Sequence, residues 1–61
     1  MNIPKDPYIL LSYINTKLRD EHRDLDDLCK SLTIDRNQLE TTLSSINYTY
    51  IQDLNRFFAM M

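Results

Sequence analysis

The 61-residue sequence predicts a mostly α fold, a three-helix, helix-turn-helix-like domain ending in a short C-terminal β-hairpin that would make it winged-helix-like. Three observations carry this prediction. Apolar residues recur at helical spacing in three successive stretches, each stretch is preceded by an aspartate suited to capping, and the tail changes to the β-formers Tyr48, Thr49, Tyr50 and Ile51. Apolar residues are 43% of the chain and charged ones 26%, a globular rather than a disordered balance. A single domain over 1–61 is expected, with a core worth only about 3–5 kcal/mol, so a stabilising homodimer is one expectation for a chain of this size.

The lead-in Met1 to Asp6 is read as extended, since Pro4 discourages helix at Ile3. Asp6-Pro7 then starts a helix over 7–21, because Asp caps free N–H groups and proline suits the first helical position. Leu10, Leu11, Ile14 and Leu18 form its buried stripe, and Lys17 and Arg19 complement the dipole at its end. Ile9 and Tyr13 widen the apolar arc to one side, where the tail or a second copy is expected to cover it.

A second helix is read over 25–32, capped by Asp24, with Asp26 and Asp27 in its first turn and Leu25, Leu28, Cys29 and Leu32 facing inward. Thr33-Ile34 makes the turn. The third helix, over 36–46, opens on Asp35 with Gln38 three residues on, a capping box, and Ile34 is placed to staple onto Leu39. Leu39, Leu43 and Ile46 carry its buried face. Glycine is absent, so left-handed positions should fall to Asn or Asp, with Asn47 and Asn55 best placed. The hairpin is read over 48–59, turning at Gln52-Asp53-Leu54-Asn55, with a short helix over 51–58 as the competing reading. Alternation puts Tyr48 and Tyr50 on one face and separates Phe57 from Phe58, leaving one phenylalanine exposed.

Net charge is -2, which offers no long-range field to attract nucleic acid or an anionic membrane. The lone Cys29 cannot form an internal disulfide, and the only apolar run near the start is far too short for a signal or a membrane span, so a cytoplasmic protein is expected. Leu28, Cys29, Leu32, Ile34 and Leu39 fit the buried positions of a helix-turn-helix, whose reading helix would offer Arg36, Asn37 and Gln38 to bases. Phosphate contacts supply most of the affinity for DNA, and here Arg36 stands between Asp35 and Glu40. DNA binding is therefore the alternative to a protein-interaction or accessory regulatory role.

Asp20, His22, Asp24 and Asp26 share the alternate-residue spacing of calcium ligands, but Leu25 and Ser31 stand where that loop needs glycine and glutamate. Capping accounts for the acids without a metal, and a metal-dependent activity around His22 is the weaker alternative. Cys29 points inward, and His22 is the single imidazole available as a base, so no enzyme, cofactor or metal site is expected. The aromatic tail and the flank of helix one leave Ile9, Tyr13 and Phe58 as a candidate surface for a protein partner or a second copy.

Met-Asn-Ile-Pro-Lys-Asp-Pro at the start, Leu10-Leu11-Ser12, Asn15, Lys17-Leu18-Arg19-Asp20, Leu25-Asp26, Leu28-Cys29, and Tyr48, Tyr50, Asn55 and Phe57 together resemble a small bacterial family, a domain of unknown function numbered four-two-five-zero. The resemblance spans nearly the whole chain. The family looks to have glycine where this chain has Asn47, in keeping with a left-handed residue there. It implies no activity. It draws attention to Lys5 and to the polar run Asn15, Lys17, Arg19 and Asp20, which periodicity leaves without a structural task, and Lys5 and Arg19 join the candidate partner surface.

Overall fold

A computed structural model describes residues 3–60; Met1 and Asn2 of the expected lead-in lie outside the described residues. Three helices, α1 (Pro7–Asp20), α2 (Leu25–Leu32) and α3 (Arg36–Ser44), precede the antiparallel strands β1 (Tyr48–Ile51) and β2 (Arg56–Ala59). The tail is thus a hairpin and not a helix. Each helix starts where an aspartate satisfies free N–H groups. Asp6 accepts from Tyr8 and Ile9 at 2.9 and 3.3 Å, Asp24 from Asp27 at 2.8 Å, and Asp35 from Asn37 at 2.9 Å.

Leu10, Ile14 and Leu18 of α1 meet Leu25, Leu28 and Cys29 of α2, Leu39 and Leu43 of α3, and Phe57 of β2 in one buried cluster. Ile3, Leu11, Tyr13, Ile34, Tyr48 and Tyr50 pack around it, half-buried. Phe57 is 1% exposed and Phe58 39%, as strand alternation requires. Burying a phenylalanine is worth about 1.5–3 kcal/mol, so Phe57 anchors the hairpin to the helices. Its ring meets that of Tyr50, directly opposite on β1, with centroids 5.6 Å apart.

Helix one closes at Asp20, with Glu21 as its cap, and among the described residues Asp35 accepts from Asn37 without the return bond to the Gln38 side chain that a capping box requires. Three further details differ from the sequence reading. Helix three ends at Ser44, short of Ile46, because the Ser45 hydroxyl donates to the Thr42 carbonyl at 2.6 Å. Ile46 and Asn47 then bond back three residues, to Leu43 and Ser44, in a tightened last turn. The hairpin does not cover the Ile9–Tyr13 flank of α1. It lies along the other flank, where Asn15 can bond the strand backbone, and Ile9 is left 60% exposed. Third, Thr33 joins Asn47 and Asn55 in the left-handed region, with φ of 56°, 65° and 51° respectively.

Thr33 adopts that conformation because α2 must stop and reverse within one turn. The Ile34 N–H reaches back to the Cys29 carbonyl at 2.9 Å, the long bond of a Schellman ending. Threonine, β-branched, holds a left-handed φ at a cost of about 1–2 kcal/mol. Glycine would remove that cost but loses about 0.5–1 kcal/mol through the freedom of its unfolded chain. Thr33→Gly should therefore raise the unfolding free energy by about 0.5–1 kcal/mol, read as a higher urea midpoint at unchanged slope. A midpoint lowered by the equivalent of the whole glycine cost, about 0.5–1 kcal/mol, would show that the turn holds no strain.

Candidate functional site

The hairpin is held to the helices by two asparagines and a tyrosine. In an antiparallel pair, opposed residues alternate between exchanging hydrogen bonds and facing outward. Met60 N–H bonds the Asn47 carbonyl at 2.7 Å, so two-residue alternation along β2 turns the N–H and C=O of Phe57 outward. Asn15 takes both. Its Oδ1 accepts from the Phe57 N–H at 2.8 Å, and its Nδ2 donates to the Phe57 carbonyl at 3.2 Å. One helix side chain thus supplies what a third strand would.

Asn55, in its left-handed turn, does the same for the helix ends. Its Nδ2 donates to the carbonyls of Leu18 at 3.1 Å and His22 at 3.0 Å, groups that the end of α1 leaves unpaired. Its Oδ1 accepts from the Tyr50 hydroxyl at 2.7 Å, and that hydroxyl accepts from the Leu25 N–H at 3.2 Å, a free donor at the start of α2. The network joins hairpin, α1 and α2, and it gives Asn15 a structural task that helical periodicity could not show.

Above this network, α1 and β2 form the walls of an open groove of about 860 Å³. Tyr8, Leu11, Ser12 and Arg19 line it from the helix, and Leu54, Arg56 and Phe58 from the hairpin. Tyr8, Leu54 and Phe58 are 66, 57 and 39% exposed, a concentration of large apolar side chains on one face. The Arg56 guanidinium lies 4.6 Å from the centre of the Phe58 ring. Arg19 forms a twin contact with Asp20 at 2.8 and 2.9 Å.

The sequence-derived surface divides between two flanks. Phe58 and Arg19 line the groove, whereas Ile9 and Tyr13 do not; Lys17 sits 5.6 Å from the Tyr13 ring centre and pairs with Glu21 at 2.7 Å. Lys5 is exposed ahead of α1. Tyr8, Leu54 and Arg56 escape a reading based on helical stripes, because they meet only after the hairpin folds back. The one legible signal was Arg56 two residues before Phe58, on the outer face of a strand.

On α3, Asn37 and Gln38 are exposed, but Arg36 is occupied. It pairs with Asp26 at 2.7 Å and Glu40 at 3.4 Å and lies 5.7 Å from the Tyr50 ring centre. His22 Nδ1 is 3.0 Å from Asp27 Oδ2, and Asp24 caps α2. Among the described residues no group of three or more His, Cys, Asp or Glu side chains is placed to hold a metal ion. Burial pushes the Cys29 thiol above its usual pKa, which keeps the thiolate scarce near neutral pH. No helix among the described residues is long and apolar enough to cross a membrane.

Fold and site together define a small three-helix protein with a hairpin latched onto its first helix. Residues 4–57 match the sequence model of a family described as a domain of unknown function, DUF4250, and the chain belongs to that family. No curated protein and no solved structure matches the chain.

The latch has a pH signature. Burial pushes the Tyr50 phenol above its ordinary 10.0, while the bond from Leu25 pulls the other way. A folded-state pKa above the unfolded one means that stability is complete below the unfolded value and is lost as pH rises through the folded one. Ionisation would also remove the proton donated to Asn55. Urea melts from about pH 8 to about pH 11 should show wild-type stability falling at the alkaline end, and Tyr50→Phe should flatten that fall while costing ~1 kcal/mol at neutral pH. Parallel pH profiles for the two proteins would contradict the network.

Proposed function

We propose that this chain is a noncatalytic protein-interaction module of the bacterial cytoplasm, presenting the groove between α1 and β2 to another protein. The observation that carries the reading is the clustering of exposed Tyr8, Leu54 and Phe58 around that groove. Large exposed apolar groups gathered on one face mark contact surfaces, and aromatic residues and arginine are the types enriched there. The helix-turn-helix reading draws less support, since Arg36 is drawn into ion pairs with Asp26 and Glu40. Duplex binding needs free cations along the phosphate backbone.

A photo-reactive phenylalanine analogue placed at position 58 tests the reading in extract of the source cell. Discrete adducts to another protein are expected at position 58, and none above background from the same analogue at Arg23, an exposed site outside the groove. Adducts to a second copy alone would assign the groove to a homodimer. Equal labelling from both positions would remove the groove as an interaction surface.

A further inference from the structure

We propose that the groove takes an acidic peptide segment of its partner, with a carboxylate on Arg56 and neighbouring apolar side chains against Phe58 and Tyr8. The proposal rests on the reading of the groove as a protein-interaction surface and adds the chemistry of the occupant. Nine acids outnumber seven Lys and Arg in the chain, yet the groove lining contains Arg19 and Arg56 and no Asp or Glu. With Arg19 paired to Asp20, the lining carries one uncompensated positive charge, at Arg56, on a molecule that is negative overall.

The four arginines are not equivalent. Arg19 is held by Asp20, Arg23 lies 4.0 Å from Asp24, and Arg36 is held by Asp26 and Glu40. Arg56 has no carboxylate within ion-pair distance among the described residues, and its guanidinium lies 4.6 Å from the centre of the Phe58 ring. An arginine resting on an aromatic ring is preorganised for a planar, two-pronged partner such as a carboxylate. The ring surface left uncovered then offers area for an apolar neighbour in the same peptide.

Two features narrow the mode of binding. Asn15 already occupies the outward backbone groups of Phe57, so the peptide engages side chains and does not extend the sheet at that residue. A nucleic acid strand draws its affinity from several phosphate contacts, and this groove offers one unpaired cation beside one tied to Asp20. One or two carboxylates match that supply.

The test selects peptides of roughly 12 random residues by display against the full chain and measures the enriched sequences by fluorescence anisotropy. Enrichment of Asp or Glu beside aromatic or aliphatic residues is expected. Arg56→Gln should weaken binding about tenfold, the loss of one charged hydrogen-bonded pair. Phe58→Ala should weaken it further, and Arg23→Ala, outside the groove, should leave it unchanged. Binders that depend on Phe58 but carry no acid, or ignore Arg56→Gln, would overturn the acidic occupant and leave the groove standing. Binders indifferent to both Phe58→Ala and Tyr8→Ala, or no enrichment at all, would overturn both. Arg56-dependent binding of single-stranded oligothymidylate, or self-association lost in Phe58→Ala, would assign the groove to nucleic acid or to a second copy instead.

Discussion

The pairing of the Asn15 amide with the backbone of Phe57 is the contact on which the rest of the arrangement depends. A two-stranded hairpin is marginal in water, and an edge strand with unpaired outward groups invites other chains to pair with it. Asn15 answers both problems with one side chain. It satisfies the outward N–H and C=O at the residue whose ring enters the core, and so fixes the position of β2 along α1. From that position follow the meeting of Asn55 with the end of α1, the bridge of Tyr50 to the start of α2, and the groove between α1 and β2.

Charge is spent largely on the fold. Asp6, Asp24 and Asp35 cap helices, Asp26 and Glu40 hold Arg36, Asp27 faces His22, and Glu21 and Asp20 pair with Lys17 and Arg19. Exposed pairs of this kind are screened by water and salt, so they tune the surface more than they hold it together. Their effect on recognition is larger. They tie up Arg36 at the start of α3, and they leave Arg56 as the arginine without a carboxylate among the described residues.

Most of the helical scaffold is legible in the sequence, because capping aspartates and apolar spacing act locally. The starts of α1, α2 and α3 follow from Asp6, Asp24 and Asp35, and the inward places of Ile14, Leu28, Cys29 and Leu43 follow from period alone. The left-handed Asn47 and Asn55 follow from a chain without glycine, whereas Thr33 does not, since a β-branched residue is a poor choice there. The side of α1 that receives the hairpin was not legible. Apolar width pointed to Ile9 and Tyr13, but a strand edge needs hydrogen-bond partners as well as apolar cover, and Asn15 provides them on the other flank. Asparagine in a helix interior, where it is a poor helix former, was the available clue. The groove residues Tyr8 and Arg56, 48 positions apart in number, become neighbours only through that docking.

Hydrogen exchange at the Phe57 amide reports on the central contact directly. In the wild type this amide should exchange only through openings that release the hairpin, with protection close to that of Ile14 in the core of α1. In Asn15→Leu, which keeps the size of the side chain and removes both bonds, Phe57 should exchange much faster while Ile14 falls only as far as global stability falls. If Phe57 keeps its protection relative to Ile14 in that variant, the hairpin is held by its buried ring alone and the account given for Asn15 is wrong.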